Sequence, residues 1–75
     1  MDQLPILSGV QLVKILGVFG YRVHRQTGSH MRLLSEGRRP VTVPNYKWID
    51  RSLLKKILHQ ANLPQEEFLT QVRKK

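Results

Sequence analysis

Apolar positions change their spacing twice along this chain, and the changes divide it into helices and strands. Leu12, Ile15, Leu16 and Phe19 recur at helical spacing, with Gln11 and Lys14 turned away from them. Ser8 followed three residues later by Gln11 has the form of a capping box, and Gly20 suits a left-handed C-terminal cap. The spacing predicts a first helix over residues 9–19, in which Gly17 costs about 1 kcal/mol against alanine. Residues 21–26 and 30–34 then alternate, as half-buried strands do. Thr27-Gly28-Ser29 reads as the hairpin loop between them, with Gly28 able to take a positive φ. Ser35-Glu36-Gly37-Arg38 is a second turn and 40–43 a third strand, with Pro40 and Pro44 fitting its ends or a sheet edge. Helical spacing returns at Leu53, Leu54, Ile57, Leu58 and Ala61, with Lys55, Lys56 and His59 opposite and Asp50 or Ser52 as cap. Pro64 opens a last short helix. Its first turn carries Glu66 and Glu67, where the helix dipole favours carboxylates, and Leu63, Phe68, Leu69 and Val72 pack it down.

The order is α-β-β-β-α with a short C-terminal helix. It defines an α+β fold, a three-stranded antiparallel sheet with helices on one face. Double-stranded-RNA-binding domains share that arrangement, an analogy of fold alone. A single domain is expected over residues 8–72, with 1–7 and 73–75 as flexible ends.

Seventy-five residues leave a thin margin of stability, because a chain of this size buries only about 60% of its unfolded surface. There is no cysteine, which removes disulfides and thiolate zinc sites. Three well-separated histidines and five carboxylates give little material for a metal site, so neither metal nor cofactor is expected. The net charge of +8 and a pI near 10.7 argue for a polyanionic partner. No apolar run approaches a membrane span, and no basic region precedes a hydrophobic segment at the N-terminus. A soluble, cytoplasmic protein without a membrane partner is the expectation.

Hairpin register decides which side chains share a face. With a three-residue loop Gln26 faces His30 and His24 faces Arg32, so Arg22, His24, Gln26, His30 and Arg32 lie together. Val23 and Leu33 then take the core side. A two-residue loop would shift the register and break the grouping. The expected outward face is basic and carries imidazole, which suits a sugar–phosphate backbone. Arg25, Arg38, Arg39, Lys47, Lys55 and Lys56 add to the field around it.

His30 is the candidate for chemistry. Imidazole changes charge near neutrality and can take a proton from a ribose 2′-hydroxyl or give one to a leaving oxygen. Spacing alone favours a blander role, a histidine that hydrogen-bonds a turn. Gly28 and Ser29 could offer backbone N–H groups to a phosphate, though a hairpin turn alone explains both. His24 has a minor claim from the predicted face and His59 none. A base could stack on Tyr46 or Trp48. A lone tryptophan in a small domain more often completes the core.

Several stretches together resemble a known family. They are Gly20-Tyr21, Arg25-Gln26, Gly28-Ser29-His30 and Arg39-Pro40-Val41-Thr42-Val43-Pro44, with the helical run from Leu53 to Leu63 and the Glu66-Glu67-Phe68 ending. The chain, from Ser8-Gly9 to about Phe68, is similar to the HicA (YcfA-like) small toxins, RNA-cleaving proteins of toxin–antitoxin pairs. The resemblance reverses the reading of His30, because the family's histidine at this turn is tied to RNA cleavage. It implies a metal-independent endoribonuclease acting on mRNA, an mRNA interferase. Catalysis would rest on His30, and RNA contacts on Gly28, Ser29, Arg22, His24, Arg25, Arg32 and Lys47. It also implies a HicB-like antitoxin protein and a hetero-oligomer with it. The residues single out no second proton-transfer group; His24 and Lys47 are the candidates. The chain departs from the family after Pro44, where a histidine or glycine is frequent and this sequence reads Asn45-Tyr46-Lys47-Trp48. Two other classes compete: a non-catalytic RNA-binding module using the same face, and an interaction protein whose basic surface meets only an acidic partner.

Overall fold

The structure, a computed structural model, describes residues 4–74. Helix α1 (Gly9–Val18) leads into strands β1 (Arg22–Thr27), β2 (His30–Ser35) and β3 (Arg38–Pro44), followed by helices α2 (Arg51–Gln60) and α3 (Gln65–Arg73). The strands form one antiparallel meander in the order β1-β2-β3. This is the α+β arrangement expected from the spacing.

Local chemistry sets the helix ends. At α1 the Ser8 hydroxyl accepts from the Gln11 amide at 3.1 Å while the Gln11 side chain accepts from the Ser8 amide at 2.9 Å, a complete capping box. The far end closes as a Schellman pair, with the Tyr21 amide donating to Leu16 and the Gly20 amide to Gly17. Helix α2 is capped by Asp50, whose carboxylate accepts from the Leu53 amide at 2.8 Å. It ends in the same Schellman geometry around Asn62, which adopts a φ of 55°.

The core lies between the helices and the inner face of the sheet. Leu12 and Leu16 of α1, Leu33, Val41 and Val43 of the sheet, Leu54, Ile57 and Leu58 of α2 and Phe68 of α3 are all buried. Strand β1 overhangs this layer: every one of its residues is exposed, including Val23 on the core side.

Residues 4–7, expected as a loose lead-in, are held by the domain. Leu4 is buried, Arg51 Nε donates to its carbonyl at 2.6 Å, and Leu7 bridges to Ile49. Arg73, also expected in a flexible end, is the last residue of α3 and Lys74 its C-cap, while Met1 to Gln3 and Lys75 lie outside the described residues.

Tyr21 ties the start of β1 to β3. Its ring is buried and its hydroxyl donates to the Arg39 carbonyl at 2.7 Å. Burial pushes this hydroxyl above its ordinary value, partly opposed by the charge of Arg38. A raised folded value means that the fold favours the protonated phenol. That stability is whole below the ordinary value near 10 and is lost as pH rises through the folded value. Thermal unfolding followed from pH 7 to pH 11 is therefore expected to show a steeper alkaline loss in wild type than in Tyr21→Phe. At neutral pH the variant is expected to be less stable by about 1 kcal/mol, the worth of the lost hydrogen bond. Parallel curves above pH 10 would remove Tyr21 as the cause.

Candidate nucleic-acid interface

The hairpin between β1 and β2 is tighter than the sequence suggests. Thr27 pairs directly with His30, so the loop is Gly28-Ser29 alone. Gly28 takes a φ of 58° while Ser29 stays at negative φ, the pattern of a II′ turn with glycine at its first position. A Cβ added at Gly28 meets nothing, so backbone angle, and not space, calls for glycine here.

The two-residue loop redistributes the expected face. Gln26 pairs with Met31 and Val23 with Leu33, and Met31 and Leu33 are buried, so Gln26 goes to the core side. This corrects the grouping of Gln26 with His30. Arg25 pairs with Arg32 and takes the outward place expected for His24. His24 falls at a bulge between Val23 and Arg25, where the pairing register shifts. That extra residue returns Arg22, opposite Leu34, to the outward side. The outward face therefore carries Arg22, Arg25 and Thr27 on β1 and His30 and Arg32 on β2. All five are exposed.

Three segments meet at the hairpin end of the sheet. His30 pairs with Pro44 on β3, and the Asn45 amide donates to the Ser29 carbonyl at 2.6 Å. The Gly9 amide, at the start of α1, donates to the Tyr46 carbonyl at 2.8 Å. Gly9 has no room for a side chain, because a Cβ there would press into the Pro44 carbonyl and the Asn45 backbone. Helix α1 thus backs the loop of residues 45–48 directly. Gly28, Ser29, His30 and Lys47 gather at this end. Arg32 and its partner Arg25 stand two residues along the strand, about 7 Å further, and Arg22 lies at the far end.

Two other cations, Arg38 of the expected field and Arg51, have structural duties. Arg38 Nη1 donates to the carbonyls of Ala61 and Asn62, both at 3.3 Å, and its guanidinium lies 5.8 Å from the Phe19 ring centroid. It closes the end of α2 against α1 and the sheet. Arg51 is bound to Leu4. Lys55, Lys56 and His59 are exposed on α2, a helix that packs against the sheet's other side.

Trp48 departs most from expectation, and Tyr46 beside it is exposed as well. Trp48 is 72% exposed and Tyr46 47% exposed, so the lone tryptophan does not complete the core; Ile49 fills the buried place beside it. The signal was present in the topology. In a meander the end of β3 must lie beside the start of β2, which puts the residues after Pro44 next to His30.

Among the described residues the His30 ring makes no hydrogen bond or ion pair, and no group of three His, Cys, Asp or Glu gathers. None of the described helices is long and apolar enough to cross a membrane.

The fold and the site together define a small basic α+β domain that presents a histidine at the hairpin end of a cationic sheet face, a surface whose charge suits a polyanion. The family model described as the HicA toxin of bacterial toxin–antitoxin matches residues 9–63, from the start of α1 through the end of α2. The chain belongs to the HicA toxin family of toxin–antitoxin systems. Membership implies a partner of the antitoxin kind. Neither the curated proteins nor the solved structures hold a significant match to the chain.

Proposed function

We propose that this chain is the toxin of a toxin–antitoxin pair and a metal-independent endoribonuclease that cleaves mRNA in the cytoplasm. One observation carries the reading: in a HicA-family chain, His30 stands exposed where the hairpin tip meets the cationic face. Arg25, Arg32 and Lys47 hold the phosphates, with Arg22 and His24 further along the strand. Gly28 and Ser29 bring the backbone close at the turn. His30 takes the proton of a ribose 2′-hydroxyl or gives one to the leaving oxygen at the scissile phosphate. A HicB-like antitoxin with an acidic surface restrains it by covering His30, since opposite charge speeds association and occlusion excludes RNA.

One observation favours a second reading, a non-catalytic RNA-binding module: no side chain among the described residues orients the His30 ring. Purified protein incubated with RNA in excess chelator separates the two. Cleavage products under chelator are expected on the first reading. Tight binding that leaves the RNA intact, with or without added divalent metal, would establish the second.

A further inference from the structure

The 45–48 loop sets aromatic surface where the protein is otherwise cationic. Trp48 and Tyr46 are two of the largest exposed apolar side chains, and they flank Lys47. Their position is fixed from two sides. The Asn45 amide is bonded to the hairpin tip at Ser29, and the Tyr46 carbonyl to the first turn of α1. Ile49 is buried and its amide donates to Leu7 at 2.7 Å, which anchors the loop just past Trp48. The loop therefore has two pinned ends and an exposed indole between them.

Charge decides the kind of occupant. From Phe19 to Ile49 the only carboxylate is Glu36, against Arg22, Arg25, Arg32, Arg38, Arg39 and Lys47. Glu36 sits in the β2–β3 turn, at the opposite end of the sheet from His30. The next acid, Asp50, is occupied in capping α2. An aromatic ring beside cations, with its nearest acid turned into a helix cap, fits a base whose phosphate is held nearby. A base can reach the ring only where it is unstacked, as in single-stranded RNA.

We propose that Trp48, with Tyr46 beside it, forms a stacking subsite for an unpaired RNA base flanking the phosphate at His30. The inference rests on the RNA-cleaving reading and adds to it a preference for single-stranded substrate. Lys47 holds the phosphate of the stacked nucleotide, and the ring fixes how the strand enters. Stacking on an indole tolerates any base, so the subsite sets strandedness and register more than sequence.

Trp48 is the only tryptophan, so its emission reports the subsite directly. The test uses His30→Ala protein, in which cleavage is expected to be slowed about 10²–10⁴-fold, titrated with a labelled single-stranded RNA oligonucleotide and with the matching duplex. Anisotropy of the label gives binding and indole emission gives stacking. The single strand is expected to quench the emission at the same concentrations at which it binds, and the duplex to leave it unchanged. Trp48→Ala is expected to weaken single-strand binding about 5- to 150-fold, and Trp48→Phe to recover most of it. Circular dichroism of each variant checks that the fold persists. Binding by anisotropy with unaltered emission, or equal quenching by the duplex, overturns the subsite and leaves the cleavage reading standing. So does an indole that ignores RNA and responds only to the antitoxin. Absence of RNA binding by every variant and by wild type would sink both.

Discussion

His30→Ala is expected to lower RNA cleavage by about 10²–10⁴-fold, the usual cost of removing a general acid–base group, and to leave the fold intact. The two expectations come from separate observations. The loss follows from the placement of the ring, exposed at the start of β2 beside the Asn45–Ser29 contact and next to Arg32. The tolerance follows from what the ring does not do. It is outside the core and makes no hydrogen bond or ion pair among the described residues. Exposed substitutions of that kind change stability by about 0.5 kcal/mol or less. Cleavage of a labelled RNA, growth inhibition on expression, and thermal unfolding by circular dichroism measure the three quantities together. A folded variant that still cleaves at the wild-type rate would falsify the assignment, and would move the search to His24 at the bulge or Lys47 in the loop. A variant that neither cleaves nor folds would show that the ring supports the hairpin after all.

The elements were legible because each is signalled locally. Ser8 with Gln11, Gly20, Asp50 and the apolar spacing of both long helices are short-range features, and the structure uses each as its chemistry suggests. Register was not legible, because it turns on a single residue. Thr27 reads equally well as loop or as last strand residue, and the structure spends it on pairing with His30. That one-residue change sends Gln26 to the core side and brings Arg25 outward. The bulge at His24 then restores Arg22, a compensation that alternation cannot foresee. The outward face kept its sign and His30 while exchanging His24 and Gln26 for Arg25 and Thr27. Arg38 was misplaced for a related reason. Its partners, the carbonyls of Ala61 and Asn62, are more than twenty residues away and exist only once α2 has docked. Trp48 reversed its expected place because Ile49, the smaller neighbour, fills the buried site at the bridge to Leu7.

Salt should separate the residues that hold RNA from those that only charge the domain. Four exposed cations surround the proposed path: Lys47 near His30, Arg25 and Arg32 on paired strands, and Arg22 at the far end. Each phosphate neutralised on a single strand contributes about 0.7 to the log–log slope of affinity against salt. Four contacts give a slope near −2.8, so affinity should fall by about fifty-fold between 50 and 200 mM salt. Arg32→Gln and Arg25→Gln are each expected to flatten the slope by about 0.7. Lys74→Gln, after the last turn of α3 on an element that packs against α1, should weaken binding slightly without flattening it comparably. Arg38→Gln is the sharpest control. It removes the same charge, but that charge is committed to the end of α2 and to the Phe19 ring, so its expected effect is on melting temperature and not on the salt slope. Titrations of labelled single-stranded RNA at four salt concentrations, with His30→Ala as the parent protein, give every slope from one experiment. If Lys74→Gln flattens the line as much as Arg32→Gln does, RNA is held by the field of the whole domain, and the sheet face loses its claim to be the binding surface.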